Sequence, residues 1–178
     1  KLITNYVSLL NDEEVDIKVE DGMTLHLKSP SSQTKIKGIS PEEFPSIPKV
    51  EKEAGFEVLA GELAESIEQT VFSASSTNIR PILAGVYMSL QKDALKLVAT
   101  DSFRLAEKRL KLTGKNETNI ECVVPVRTML ELGRILHGQN IDEKVTVTAS
   151  KNQILFSVGG VELVSRLIEG KFPDYEKI

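Results

Sequence analysis

The first feature of this sequence is its scarcity of cysteine, histidine and tryptophan. Among 178 residues there are one cysteine, two histidines and no tryptophan. Cys122 alone cannot form an internal disulfide, and together with His26 and His137 it offers too few soft ligands for a zinc site. No apolar run approaches the roughly 20 residues that a membrane-spanning helix needs, and the opening residues lack a signal-peptide pattern. These scarcities argue against a metalloprotein, a membrane protein and a secreted disulfide scaffold.

Net positive charge is also lacking. Twenty-two basic side chains stand against twenty-six acidic ones, which gives a net charge of −4 and an isoelectric point near 5.4. A protein that grips phosphate backbones by charge alone carries the opposite sign. With 40% apolar and 27% charged residues, the chain has the profile of a globular protein. We therefore expect a cytoplasmic protein of one domain and part of another, which does not bind nucleic acid tightly.

Apolar periodicity predicts the elements of the first fifty residues. Helical spacing in residues 1–10 predicts a helix, with no cap and no initiator Met before it, as expected for a trimmed fragment. Alternation over residues 15–19 and the turn signal Asp21-Gly22 predict a β-hairpin. A further short strand follows around residues 35–39, and the prolines of residues 45–48 indicate a domain border.

The remaining residues repeat one pattern twice, in the order strand, helix and three strands. The predicted strands are Phe56 to Leu59, Leu83 to Leu90, Leu95 to Thr100, Arg104 to Leu110, Ile120 to Val124, Val145 to Thr148, Gln153 to Val158 and Val161 to Leu167, and the predicted helices are Glu62 to Ser73 and Val126 to Leu136. The two strand-to-helix entries, Val58-Leu59-Ala60 and Val123-Val124-Pro125, are roughly 65 residues apart. We expect a two-layer α+β fold, with helices on one face and antiparallel sheets on the other.

A second repeat relates the two ends of the chain. The helix, hairpin and Phe-Pro ending of the first fifty residues recur near the C-terminus, where Phe172-Pro173 answers Phe44-Pro45 at a shift of about 128 residues. Residues 1–50 are then the back half of a domain similar to the one formed by residues 51–178.

Catalytic signals are weak. We find no glycine-rich phosphate loop, nucleophile elbow or metal-ligand spacing, and Gly159-Gly160 is typical of a hairpin turn. Cys122 lies in an apolar strand and is expected to be a small core residue. Two alternatives to a binding platform remain open: a small hydrolase that uses Asp101, Ser102 and a histidine from elsewhere, and a generic interaction domain. The hydrolase requires His26 or His137 within hydrogen-bond reach of Ser102.

The turn around residues 100–104 carries an aromatic and an arginine where a solvated turn favours Gly, Asn or Lys. A purely structural interpretation packs Phe103 under the turn and pairs Arg104 with Asp101. The functional interpretation is an apolar recess rimmed by Thr100, Asp101 and Arg104.

Two motifs identify a family resemblance. The run Val-Ala-Thr-Asp-Ser-Phe-Arg-Leu-Ala at 98–106 and the run Gly-Lys-Phe-Pro-Asp-Tyr at 170–175 resemble the bacterial β sliding clamp, the processivity subunit of DNA polymerase III. The resemblance implies three domains of one fold, with helices lining a ring and sheets outside, and two subunits joined head to tail around duplex DNA. It implies no enzymatic activity, no cofactor and no metal. The implied partners are DNA, the DNA polymerase III catalytic subunit, the clamp loader and repair proteins, the proteins docking through linear peptides.

The resemblance also implies the site residues. The peptide groove would be formed by Arg80, Leu83, Thr100, Phe103, Arg104, Leu105, Pro173 and Ile178. Arg127 and Arg134 would face DNA, although the plain alternative is two solvated residues that pair with Glu131. The chain departs from the family where Glu65 and Glu68 replace the usual basic residues of an inner helix, and where Phe103 fills a variable position. The third domain is absent and the first is truncated, so we expect a monomer or weak dimer with little duplex affinity.

Overall fold

The computed structural model describes residues 2–11, 14–20, 22–44, 50–51, 53–77, 79–113 and 119–177. It divides the chain into two units, Lys1–Ile47 and Pro48–Ile178. The elements of the first unit are α1 (Leu2–Ser8), β1 (Asp16–Glu20), β2 (Thr24–Lys28) and β3 (Gln33–Lys37). The elements of the second unit are β4 (Ala54–Leu59), α2 (Ala60–Val71), β5 (Gly85–Gln91), β6 (Ala94–Thr100), β7 (Leu105–Lys111), β8 (Ile120–Pro125), α3 (Val126–His137), β9 (Lys144–Ala149), β10 (Gln153–Val158) and β11 (Val161–Arg166).

The first unit is a three-stranded antiparallel sheet in the order β1-β2-β3 with one helix. The predicted hairpin is confirmed by the antiparallel pairing of β1 with β2. Asp21 of its turn lies outside the described residues, and the next two residues, Gly22 and Met23, adopt φ angles of +76° and +61°. Leu27 is fully buried, whereas α1 has no buried residue. The unit therefore leaves most of its apolar side chains exposed.

The second unit confirms the predicted order of strand, helix and three strands, repeated once. Its two four-stranded antiparallel sheets have the strand orders β7-β6-β5-β8 and β11-β10-β9-β4. The first strand of each half of the repeat joins the sheet formed by the other half. In the first half this strand is β4, which pairs with β9, and in the second half it is β8, which pairs with β5. The two halves are thereby interlocked, and neither sheet can form from one half alone.

The two helices form the second layer and cover one face of the sheets. The apolar stripe of α2 is buried at Leu63, Ile67 and Val71, as its helical spacing predicts. Gly133 of α3 lies opposite the helix α2, where an added Cβ would be 3.6 Å from Ile67 Cγ2. No described helix has both the length and the apolar content needed to cross a bilayer.

The helix α2 begins without a capping side chain at Leu59. Backbone carbonyls replace the cap, since Ala60 N donates to Glu143 O at 2.8 Å and Gly61 N donates to Ile141 O at 2.9 Å. The helices α2 and α3 start at residues 60 and 126, so the structural repeat is 66 residues, one more than the roughly 65 predicted.

The predicted strand Leu83 to Leu90 starts too early. Residues Pro81–Ala84 form a 3-10 turn, and β5 begins at Gly85. Pro81 has no backbone N–H to donate and its φ is fixed near the helical value, which favours a tight turn at this position over an extended strand.

Candidate functional site

The turn between β6 and β7 is built by two polar side chains. Asp101 Oδ1 accepts hydrogen bonds from Phe103 N at 2.9 Å and Arg104 N at 3.0 Å. Thr100 Oγ1 accepts from Ser102 N at 3.1 Å and donates its single proton to Arg104 O at 2.7 Å. This network holds Ser102 at a φ of +80°, a conformation that a non-glycine residue rarely adopts. Threonine and aspartate at these positions therefore have a structural reason.

The structure tests the two parts of the structural interpretation of this turn separately. Phe103 is 98% exposed, so the prediction that it packs under the turn is wrong. The pairing of Arg104 with Asp101 is confirmed, with Nε 3.0 Å from Oδ2. Hydrogen bonds from the Phe103 and Arg104 amides, with help from the Arg104 guanidinium, hold the pKa of the Asp101 carboxyl below its usual value. These bonds fix the backbone of the turn, and in this backbone conformation the Phe103 side chain projects into solvent.

A cross-strand row lies next to this turn on the outer face of the sheet β7-β6-β5-β8, the face that points away from the helices. Val123 of β8, Tyr87 of β5, Val98 of β6 and Glu107 of β7 are successive register partners. Directly paired residues project to the same face, so these four form one row. The next row towards the turn includes the pair Thr100 and Leu105, two residues farther along each strand, which is about 7 Å.

The C-terminal segment, residues 168–177, crosses this row and is called the strap. Ile168 N donates to Val123 O at 2.8 Å. The ring of Phe172 stacks on Tyr87 with centroids 5.1 Å apart. Tyr175 OH donates to Glu107 Oε2 at 2.7 Å. The strap therefore contacts β8, β5 and β7 in turn.

The strap buries a second apolar cluster, separate from the main core. Val98, Val123 and Phe172 form its centre, with Ile82 and Ile168 packed against them. Burial raises the pKa of the neighbouring Tyr87 hydroxyl. This cluster gives the outer face of this sheet an apolar patch that the strap covers in part.

Most of the predicted groove residues lie around this cluster. Arg80 Nη1 is 3.5 Å from Ser102 Oγ, which brings the 80–83 segment to the turn. Leu83 is buried at 4% exposure, whereas Leu105 is 44% exposed. Pro173 follows Phe172 in the strap and is exposed. Ile178 lies outside the described residues.

A cleft of about 820 Å³ opens at the other end of the same outer face. Its lining includes Tyr87, Gln91, Lys96, Glu121 and Lys151, together with the strap. Pro173 is the one predicted groove residue, among those that the structure describes, that lines it. The cleft lies on one side of the apolar cluster and the Thr100–Leu105 row on the other, and the strap, which carries Pro173, spans the cluster between them.

The two predicted DNA-facing residues lie on the helical layer, not on the sheet. Arg127 and Arg134 are exposed on α3, and Arg134 Nη1 pairs with Glu131 Oε1 at 2.5 Å. On α2, Glu65 pairs with Lys108 of β7 at 3.1 Å. The helical layer therefore presents both signs of charge to solvent, with ion pairs among them.

The contacts of Ser102 bear on the hydrolase alternative. His137 Nε2 is 2.7 Å from Glu68 Oε1, and His26 Nδ1 is 3.2 Å from Glu20 Oε1. Within the described part of the second unit, no hydrogen bond joins Ser102 to His137. Nor does any group of three or more His, Cys, Asp or Glu side chains in that part have the arrangement of a metal site.

Comparison with known proteins gives this geometry a family. A family model described as "DNA polymerase III beta subunit, central domain" matches residues 57–174, more than half of the chain. The chain belongs to this family. The resemblance inferred from the two sequence motifs is thereby confirmed.

Relatives within the family match the whole chain. It is 30% identical over 178 residues to the "Beta sliding clamp" of Staphylococcus epidermidis, covering 100% of this chain and 46% of that protein. It is 32% identical to that of Halalkalibacterium halodurans over 176 residues, covering 97% and 46%. The chain therefore spans about half the length of the curated relatives it matches.

Solved structures of the family share the fold. The DNA polymerase III beta chain of Streptococcus pneumoniae is 34% identical with a TM-score of 0.80, covering 99% of this chain and 46% of that one. The DNA polymerase sliding clamp of Bacillus subtilis is 30% identical with a TM-score of 0.82, at 99% and 46% coverage. The predicted α+β clamp fold is confirmed.

Sequence reasoning missed the row under the strap. Val98 follows the buried Leu97 and precedes the buried Ala99, so alternation places its apolar side chain on the opposite face. Tyr87 has the same relation to Val86 and Met88. Two outward apolar residues on adjacent strands were the available signal that something covers this face.

Proposed function

We propose that this chain is a segment of a sliding clamp, a non-catalytic processivity factor of DNA replication in the cytoplasm. The observation that carries the proposal is that the whole chain is similar to proteins named beta sliding clamp, at 30% identity over 178 residues. Residues 1–50 would be the back half of the first clamp domain, and residues 51–178 the middle domain. In the complete protein, a homodimeric ring would encircle duplex DNA without a cofactor.

The clamp would tether its partners through a groove on the outer face. The partners are linear peptides of the DNA polymerase III catalytic subunit, the clamp loader and repair proteins. Support for this location comes from the half-exposed Leu105 beside Thr100 and from the neighbouring apolar cluster. Thr100 gives its hydroxyl proton to Arg104 O, so the orienting donors of the groove are Arg80 and Arg104 rather than Thr100.

The groove is tested by peptide binding. We would titrate a fluorescein-labelled peptide with one Gln and several apolar residues against the wild type, Leu105→Ala and Arg127→Ala. Truncation of the apolar anchor should cost about 1–3 kcal/mol of binding, whereas the change on α3 should cost almost nothing. Equal affinity of the wild type and Leu105→Ala would refute the groove.

The helical layer is proposed to face DNA through weak contacts. Arg127 and Arg134 supply positive charge, but Glu62, Glu65 and Glu68 are exposed on the adjacent helix. A ring is held by its topology, so the contacts need not be strong. We expect this 178-residue chain alone to be monomeric and to bind duplex weakly, and light scattering that shows a closed ring would contradict this.

A further inference from the structure

We propose that Glu107 and Tyr175 form a latch that positions one wall of the peptide groove. The inference rests on the proposed function and adds two positioning residues to the proposed site. The latch joins β7, the strand that carries Leu105, to the strap, the segment that carries Pro173. Neither Glu107 nor Tyr175 is itself expected to touch the peptide.

The position of Glu107 is the first support. It lies two residues from Leu105 on the same strand and the same face, about 7 Å away. A charged residue on an edge strand is usually a solvated device against aggregation. The side chain of Glu107, however, is only 20% exposed and abuts the buried Val98 of the apolar cluster.

The carboxylate is held from two sides. Oε2 accepts the hydrogen bond from Tyr175 OH at 2.7 Å, and Oε1 accepts from Arg109 Nε at 2.5 Å. Two donors that bind different oxygens fix the plane of the carboxylate. The position of the Tyr175 hydroxyl relative to β7 is fixed as a result. A second contact, Lys96 Nζ to Glu176 Oε1 at 2.9 Å, attaches the next strap residue to β6.

The protonation states favour the latch. Burial opposes ionisation of Glu107, but the bonds from Arg109 and Tyr175 outweigh it, so its pKa lies below the usual value. Burial and then the bond to Glu107 raise the pKa of the Tyr175 hydroxyl. The acceptor therefore stays charged and the donor keeps its proton at neutral pH.

The consequence concerns the strap rather than the sheet. Pro173 is separated from Tyr175 by one residue, and Tyr175 N donates to Pro173 O at 2.9 Å, so a hydrogen bond links the position of Pro173 to that of Tyr175. Phe172 anchors its other end on Tyr87. With the latch intact, Pro173 is held between two anchors, and its position relative to Leu105 is set before a peptide arrives. Loss of the Tyr175–Glu107 bond leaves this end of the strap attached through the Lys96–Glu176 pair, whose carboxylate is exposed and screened by water. The peptide must then order the strap itself, which weakens binding.

The test uses the full chain and the same fluorescein-labelled peptide, at a temperature where circular dichroism shows every variant folded. Tyr175→Phe and Glu107→Ala should each weaken binding about three- to tenfold, the range for loss of one hydrogen bond of ordinary strength, because the latch acts on the peptide only through the strap. The double variant should be no weaker than the weaker single variant. Glu107→Gln keeps an acceptor for Tyr175 and should restore most of the affinity.

The matched control is Glu162→Ala. Glu162 ends the corresponding row of the other sheet, pairs with Ser157 and is exposed. It should bind peptide as the wild type does. Hydrogen exchange of the strap amides should quicken in Tyr175→Phe and not in the control.

The outcomes separate this inference from the function on which it rests. If the wild type binds the peptide and the latch variants bind it equally well, the latch is refuted and the groove stands. The latch is also refuted if Glu107→Gln is as weak as Glu107→Ala, since a hydrogen-bond acceptor then makes no difference. If the wild type does not bind, both the groove and the latch are wrong.

Discussion

The two sheets of the second unit follow one plan, yet their outer faces differ in chemistry. In the sheet β7-β6-β5-β8 the central row reads Val123, Tyr87, Val98, Glu107. In the sheet β11-β10-β9-β4 the corresponding row is formed by the successive register partners Glu57, Thr146, Ser157 and Glu162. Glu57 and Val123 are related by the 66-residue repeat. One sheet thus has a polar outer row, and the other has an outer row that is apolar except for Glu107.

This difference explains why the strap crosses only one of the two rows. The side chains of a polar row are hydrated by water and need no covering segment. Glu57 of this row is also paired with Lys144 at 2.9 Å. An apolar row gains free energy when it is covered, and Phe172 covers it. The proposed groove lies at the rim of the covered row. The proposed site therefore lies where one sheet departs from the other on an outer face that the main core does not use.

The largest effect should come from uncovering the apolar row. Phe172 is 8% exposed and stacks on Tyr87, so Phe172→Ala should lower the free energy of unfolding by about 3 kcal/mol. The comparison variant is Ser157→Ala in the polar row. This substitution should change the free energy of unfolding by less than about 0.5 kcal/mol. Urea denaturation measures both. Similar losses in the two variants would mean that the rows do not differ energetically.

A glycine under the strap gives the next largest effect. An added Cβ at Gly85 would be 2.6 Å from Val123 Cγ1 and 2.8 Å from Val124 O, too close for a real contact. Gly85→Ala should therefore destabilise by about 2 kcal/mol.

The same substitution on the helical layer should act in the opposite direction. Gly133→Ala on α3 meets only an ordinary contact at 3.6 Å, and helix propensity should stabilise it by about 0.5–1 kcal/mol. Thermal denaturation of both variants gives the sign. A stabilised Gly85→Ala would show that β8 can shift at Val123 and Val124 with little cost in free energy.

The fold was largely predictable from the sequence, and the site only in part. Alternation and helical spacing predict the order of elements, because each pattern reflects which face is buried. The start of β5 was missed because Pro81 forms a 3-10 turn inside an apolar run. The exposure of Phe103 follows from hydrogen bonds to Asp101, and the partner of Glu107 follows from the path of the strap. Strand register and chain path are tertiary properties that periodicity along one strand does not contain.

The first strands of the two halves, β4 and β8, also differ on the face that points to the core. The pH dependence of the free energy of unfolding should show this difference. Phe56 of β4 and Cys122 of β8 are related by the 66-residue repeat. Burial raises the pKa of the Cys122 thiol to about 12. The thiol of an unfolded chain ionises near pH 8.5, so between that pH and about 12 only the unfolded state loses its proton. The stability associated with Cys122 is fully present below pH 8.5 and is lost as the pH rises towards 12.

Comparison with Cys122→Ala separates the contribution of the Cys122 thiol to the pH dependence of stability from the contributions of other titrating groups. Between pH 8 and 9.5 the stability difference between the wild type and Cys122→Ala should shrink by about 1 kcal/mol. Urea denaturation at the two pH values measures it. A difference that stays constant would mean that the thiol ionises equally in both states.

The smallest effect should come from the ion pair on the polar face. Lys144 Nζ is 2.9 Å from Glu57 Oε2, but both side chains are more than half exposed. The hydrogen bond with Glu57 raises the pKa of Lys144, yet water and salt screen a pair at such a site. We expect Lys144→Ala to leave the melting temperature unchanged within experimental error at 0.15 M NaCl, and Glu57→Gln to behave in the same way. A clear loss of stability in both single variants that disappears at 1 M NaCl would show that this face, like its twin, depends on a specific contact, and the contrast between a covered and a self-sufficient face would then have to be abandoned.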